Sequence, residues 1–351
     1  MKNGVLTCRG MGRLKNIGDY VQSIAARQFA GPSAVDIERE AMSDYRGGPT
    51  RLVMNAWFMH HPERFPPSGD IEPLFLSFHV RPTIEDAFFT EKAVAYLKAH
   101  EPIGCRSTDA VDMMGRHGIR AWFSSCLTLT LGETYRHVAA DTPPVFVDPY
   151  FRRFGRKKWW VRIPPRLVGR IPYVIRHFRV IRKLAQRFRI YEDWKGNRFA
   201  PIRWYYASEF YRAYSPAFTD EVLLSADYVT HKVPHPKGVT DADFYALADR
   251  LLHRYERAPF VVTSRLHCTL PCLAMGTPVW VPYHPKMTTG RFGGNDGFMN
   301  RLEFGPDDTL KTPPGGRITR DMRPPVRTEH VSYARELAQR CRQFMNGGEA
   351  R

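Results

Sequence analysis

The chain has no run of about 18 apolar residues, no apolar core between Met1 and Gly10, and no internal repeat or low-complexity tract. The first absence argues against a membrane-spanning helix and the second against a secretion signal, so a cytoplasmic protein, soluble or peripheral, is expected. Its six cysteines, Cys8, Cys105, Cys126, Cys268, Cys272 and Cys341, show neither the dense pairing of a disulfide framework nor the spacing of a zinc site. Reduced thiols, no metal and no cofactor follow as expectations. Acidic residues are nearly missing from one stretch: between Phe151 and Arg203 there are 17 Lys or Arg and only two acids, Glu192 and Asp193. The other residues carry 35 basic and 33 acidic side chains, so almost all of the net charge of +17 is local.

What is present describes a packed α/β chain. The hydrophobic fraction is 43% and the aromatic fraction 13%, spread along 351 residues, a length that suits two domains better than one small core. Short apolar runs at Gly4–Cys8, Arg51–Ala56, Leu74–Val80, Pro102–Cys105 and Ile119–Phe123 read as strands. Helical spacing over Asp19–Phe29, Glu91–His100 and Asp109–His117 fills the gaps. A second βα series begins near Thr219, with strands at Ala226–Thr230, Phe260–Thr263 and Pro278–Val281 and a helix over Asp241–Tyr255. The last helix runs from about Thr328 to Met345. The predicted architecture is two Rossmann-like domains, 1–141 and 206–327, facing a cleft, with a basic connection over 142–205 and a C-terminal helix over 328–351.

Two segments bear on chemistry. From Phe260 to Pro278 an apolar strand runs into Thr263-Ser264-Arg265-Leu266-His267 and then a compact apolar helix ending at Gly276. Ligands bind at such strand ends, because free N–H groups and the helix dipole favour an anion there. Pro271 suits a first turn and predicts a helix start near Thr269. The plain alternative is that Arg265 pairs with a neighbouring carboxylate and His267 is structural. After the first strand, Asn16-Ile17-Gly18-Asp19 opens a helix. Gly18 would let the backbone approach a ligand, and Asp19 reads as an N-cap or as a base.

Four stretches together resemble bacterial members of the polysaccharide pyruvyl transferase family: Asn16–Asp19, Glu101–Arg106, Ser125–Leu131 and Phe260–Val279, in the family's order. The resemblance implies a fold like that of GT-B glycosyltransferases, phosphoenolpyruvate as co-substrate and a sugar hydroxyl pair on a glycan as acceptor. It also implies that Arg265, Leu266 and His267, with Arg106 from the N-terminal half, hold the donor. The family commonly follows that arginine with Asp. Here Ser107 and Thr108 intervene before Asp109, which leaves the usual aspartate's role without a match.

Residue chemistry agrees. Phosphoenolpyruvate carries a carboxylate and a phosphate, which bidentate arginines suit, and ketal formation needs a general acid and a general base. His267 is the candidate acid or phosphate donor and Asp19 the candidate base. Asn16 and Gly18, with Asn55, Trp57, His60, His61 and His79 after strand-like runs, are candidates for the acceptor cleft. Cys268 and Cys272 read as core, and Thr128 and Thr130, in a stretch that alternates like a strand, as structural.

In the basic stretch, Leu167 to Phe188 shows apolar residues at helical spacing, with Arg176, Arg179, Arg182 and Lys183 largely on other faces. Such a helix suits an anionic inner leaflet bearing a lipid-linked glycan, with Trp159, Trp160 and Tyr173 as interfacial anchors. It equally suits an interdomain helix with its apolar stripe buried. A nucleotide-sugar glycosyltransferase is the nearest rival function. A nucleic-acid binder is the non-enzymatic one, weakened by the near-neutral remainder and the lack of a nucleic-acid module.

Overall fold

Short runs of β-branched and aromatic residues form the strands, and capped amphipathic helices return the chain between them. The computed structural model describes residues 1–8, 14–151, 159–187, 200–285 and 292–348, and the side chains among them except those of 159–167 and 200–202. The first part contains β1 (Lys2–Thr7), β2 (Leu14–Asn16), α1 (Ile17–Ala30), β3 (Val35–Glu38), β4 (Thr50–Val53), β5 (Trp57–Phe58), β6 (Ile71–Leu74) and β7 (His79–Val80). It continues through α2 (Glu85–Phe88), α3 (Glu91–Ala99), β8 (Ile103–Cys105), α4 (Thr108–Arg116) and β9 (Ala121–Phe123). A parallel sheet has the order β3-β1-β4-β6. Pairing passes on through Phe78 N–H to Gly104 O (2.9 Å) and Arg106 N–H to Phe78 O (2.9 Å) to β8, which pairs with β9.

The second part contains β10 (Val145–Val147), α5 (Trp159–Arg176), α6 (Phe178–Arg187), α7 (Ala200–Tyr214), α8 (Asp220–Ser225), β11 (Asp227–Val229), β12 (Lys232–Pro234) and α9 (Asp241–Arg257). After these come β13 (Val261–Thr263), α10 (Leu266–Met275), β14 (Val279–Tyr283), β15 (Arg301–Glu303) and α11 (His330–Met345). Its five-stranded parallel sheet has the order β11-β10-β13-β14-β15. The class is α/β, as the alternation of periods predicts.

The two sheets are tied together. Strand β2 pairs antiparallel with β12, the Ile17 N–H donates to the His231 carbonyl at 2.8 Å, and Tyr20 donates to Asp241 at 2.8 Å. One apolar cluster runs from Val5 and α1 through Leu127, Leu129 and Leu131 to Val261, α9 and α10. Gly132 sits at a tight contact there: a Cβ on it would lie 2.1 Å from the Ala274 carbonyl oxygen.

Several expectations change. The run Leu74–Val80 is divided between β6 and β7, with Ser77 at φ 58° between them. Ser125–Leu131 is not a strand. Ser125 takes a left-handed φ of 62° and a 3₁₀ helix follows over Leu127–Glu133. Its leucines and threonines are all buried, so alternation carries no inside–outside meaning, and Thr130 Oγ1 donates to Leu127 O at 2.7 Å. Val145–Val147, inside the stretch read as a connection, is a central strand of the second sheet. Helix α7 is absent from the sequence reading, because its aromatic residues obscure the period. The helix predicted over Leu167–Phe188 is broken at His177 into α5 and α6, and Phe188 lies outside the described residues. All six cysteines are free and buried.

Candidate active site

Three helices begin directly after strand ends, and these beginnings surround one cavity of about 520 Å³. Gly18 and Asp19 belong to the first turn of α1, Ser107 and Asp109 to the start of α4, and Arg265, Leu266 and His267 to the start of α10. Each start brings the positive end of a helix dipole, while at α1 and α4 side-chain caps and carbonyls already take Ile17, Gly18, Thr108 and Ala110 N–H. Arg81, Arg106 and Arg265 add three guanidinium groups to the same wall, against the carboxylates of Asp19 and Asp109. The cavity therefore favours an anion with more than one acidic group.

The cap of α1 is Asn16, not Asp19. Asn16 Oδ1 accepts from Gly18 N–H at 3.3 Å, while its amide donates to Asp19 Oδ1 at 3.0 Å. Asp19 is thereby left facing the cavity. Burial pushes its carboxyl up to about 6, against the pull of Arg39 and Arg106, the Asn16 hydrogen bond and Arg81. It is ionised near neutrality yet basic enough to accept a proton. Gly18 serves the packing of α1 on His267: a Cβ there would lie 3.0 Å from His267 Nδ1 and 3.1 Å from its Cβ. The close approach predicted at this glycine is to a side chain of the other sheet's helix.

Helix α10 starts at Leu266 rather than Thr269, and its first turn is irregular at His267 (φ −79°, ψ 22°). The cause lies four residues on. Pro271 has no N–H for the His267 carbonyl and its ring crowds that carbonyl, so the helix yields there. Gly276 ends the helix in the left-handed region, φ 80°.

Arg265 does pair with a carboxylate. Its Nε donates to Asp148 Oδ2 at 2.8 Å, and Asp148 also accepts from Thr230 Oγ1 at 2.8 Å and His231 N–H at 3.0 Å. Burial alone would raise the Asp148 carboxyl, but Arg265, His231 and these hydrogen bonds hold it below the usual range. The pair leaves Arg265 on the cavity wall, so the ion pair aims the guanidinium without removing it from the site. His231, also on the wall, is pushed down to about 4 by burial and by Arg265, against Asp148, and is neutral near pH 7. Arg106 reaches Gln22 Oε1 at 3.5 Å, and its carbonyl accepts from Asn295, which in turn accepts from Ser125 at 2.6 Å.

Of the residues singled out from sequence, Asn16, Gly18, Asp19, Trp57, His79, Arg106, Arg265, Leu266 and His267 share this cavity. Asn55 does not: it is buried and donates to the Gln22 carbonyl at 2.9 Å. His60 and His61 do not line it; their N–H groups donate to Glu40, and the His60 ring packs edge-on against Trp57. The Trp57 ring lies beneath Arg81 and Arg39, at 3.9 Å and 4.1 Å from its centroid. His79 is held well below the usual histidine range by burial, Arg106 and Arg81, and is neutral. Arg81, Asp148, His231 and Asn295 were missed. Arg81 and Asp148 each follow an apolar run, the same signal that marks Arg106 and Arg265. Asn295 lies in a glycine-rich loop and gives no such signal.

The sequence profile of the polysaccharide pyruvyl transferase family matches residues 70–282, more than half of the chain. The chain belongs to this family. No curated protein matches it. The matched span holds Arg81, Arg106, Asp148 and Arg265–His267, while Asn16–Asp19 and Asn295 lie outside it. Membership implies a transferase of polysaccharide biosynthesis, and the anion-favouring cavity is where this family member's residues of both sheets meet. No described helix is long and apolar enough to cross a membrane. Among the described residues, no group of three or more His, Cys, Asp or Glu is arranged to hold a metal ion.

Proposed function

We propose that this transferase moves the enolpyruvyl unit of phosphoenolpyruvate onto two hydroxyls of a glycan, forming a pyruvate ketal in the cytoplasm. The observation that carries the reading is the meeting of Arg81 and Arg106 with Arg265 around three helix starts. A donor with one carboxylate and one phosphate suits both the bidentate arginines and the positive ends of the helices. We read the two parallel sheets as a GT-B-like pair, with the donor on the Arg265 side and the acceptor on the Trp57 and His79 side.

In this scheme the enol methylene takes a proton and a glycan hydroxyl oxygen bonds to the adjacent carbon. That hydroxyl's proton passes to a base, the C–O bond to phosphate breaks, and the second hydroxyl closes the ketal as its proton goes to the departing phosphate. His267 is the acid or the donor to the departing phosphate, and Asp19, at about 6, is the base. Asp148 holds Arg265 in line.

Phosphoenolpyruvate should raise the melting temperature of the purified protein, and a nucleotide sugar should not. His267→Ala should fold as the wild type does and lose more than about tenfold in turnover. Turnover near that of the wild type would remove His267 from the reaction, and stabilisation by the nucleotide sugar alone would favour glycosyl transfer.

A further inference from the structure

The helices α5 and α6 carry two apolar stripes, and only one is used. Tyr173, Val174, Ile181, Leu184 and Ala185 face inward and join the core beneath the second sheet. Tyr173, read from sequence as an interfacial anchor, is thereby engaged, its ring 6.3 Å from that of Tyr211. Val168, Ile171, Ile175 and Phe178 face outward, exposed by 63%, 48%, 69% and 48%. These are four of the seven large exposed apolar side chains among the described residues, gathered within one short segment. On an ideal turn of 3.6 residues they fall within about 80° of arc. The hydrogen bonds from His177 N–H to Tyr173 O (3.1 Å) and from Ile181 N–H to His177 O (3.0 Å) keep the helical course across the break.

Basic side chains lie alongside this stripe. From Trp159 to Arg187 the sequence has eight Lys or Arg and no acid. Arg170 is drawn to Glu209 and Arg187 to the Ala226 carbonyl. Arg176, Arg179, Arg182 and Lys183 are exposed, and none forms an ion pair among the described residues. A surface helix that only packs on its own protein buries its single apolar stripe. Here that stripe is already buried, and a second one is left in water beside uncompensated positive charge.

We propose that the outer face of α5 and α6 docks on an anionic lipid bilayer. Val168, Ile171, Ile175 and Phe178 would enter the headgroup–acyl boundary, with Arg176, Arg179, Arg182 and Lys183 against the acidic headgroups. A bilayer offers both an apolar layer and a negative surface within one contact. A nucleic acid satisfies the arginines but leaves the apolar stripe in water. This surface is independent of the donor chemistry. Trp159 and Trp160 precede it in sequence, and their side chains lie outside those described.

The test is cosedimentation of the whole chain with vesicles of mixed phosphatidylglycerol and phosphatidylcholine, against phosphatidylcholine alone, over a salt series. Binding to the anionic vesicles alone, weakened by salt, is expected. Replacing Ile171, Ile175 and Phe178 by Ser should weaken it at least about tenfold, as should Gln at Arg176, Arg179, Arg182 and Lys183. All seven side chains are exposed, but the Phe178 ring also meets Trp204 at 5.4 Å, so the Gln variant should melt with the wild type and the Ser variant slightly below it. Failure of the wild type to sediment with anionic vesicles overturns the proposal, and that measurement depends on no variant. Sedimentation of the Ser variant equal to wild type, together with tight oligonucleotide binding, overturns it in favour of a nucleic acid.

Discussion

Asp148 offers a quantitative check on how the Arg265 side of the site is held. Its carboxylate receives three donors: Thr230 Oγ1 on one oxygen, and His231 N–H and Arg265 Nε on the other. In Asp148→Asn the amide oxygen can keep His231 and Arg265, with the NH₂ turned to the Thr230 hydroxyl, which is free to rotate. Only the charge is lost, at about 1 kcal/mol. Asp148→Ala removes every acceptor. The buried His231 N–H costs about 1–3 kcal/mol. The Arg265 pair adds about 1 kcal/mol, since that side chain is 20% exposed and water can replace its partner. Residue 148 also sits at φ 43°, which Asn tolerates and Ala resists by about 1 kcal/mol. The sums are about 1 kcal/mol for Asn and about 4 kcal/mol for Ala. Urea unfolding at pH 7 measures both.

The pH dependence follows from the sign of the shift. The Asp148 carboxyl is depressed in the folded state, so its contribution is present above the ordinary value of 3.8 and is lost as pH falls through the folded value. The gap between wild type and Asp148→Asn should therefore close in acid, where the two side chains are both neutral. Equal stabilities of the Ala and Asn variants at pH 7 would refute this account of the ion pair, as would a gap that widens in acid.

Asp19 should behave in the opposite sense. Its carboxyl is raised from 3.8 to about 6, so the folded state binds more protons between these values and stability should rise as pH falls through that window. As the proposed base it must be ionised to act, so catalysis should fall over the same range. Asp19→Asn should lose the stability increment, and its residual kcat/KM should lack that limb; an unchanged limb would assign it to another group. Gly132→Ala should cost about 3 kcal/mol, because the new Cβ would meet the backbone of Ala274 and cannot be relieved by a rotamer change. Gly115→Ala, in α4 with nothing within 4 Å, should instead be neutral or stabilising by about 0.5 kcal/mol in the same urea assay.

Much of the site was legible in the sequence because it is built from strand ends. An apolar run that stops at Arg106 or at Arg265 places the arginine at a helix start whatever the remaining packing, and that local rule also fixes Gly276 as a helix stop. The same rule applied to Phe78-His79-Val80-Arg81 and Val145-Phe146-Val147-Asp148 would have found two more members of the site. It missed them because one run is split between strands and the other was absorbed into a basic stretch.

The sequence by itself determined the α/β class, the anion-favouring helix starts, the helix stop at Gly276, and the confinement of charge to residues 151–203. Tertiary structure alone decided which of these starts face one another. The pairing of β2 with β12 and the contact of Gly18 with His267 bring α1 beside α10, across more than 200 residues of chain. It also decided that Asn55 is a buried brace and not a cavity residue, and that α5 and α6 have one stripe buried and one exposed. Periodicity shows how many faces a helix has. Only the packed neighbours determine which of them meets water.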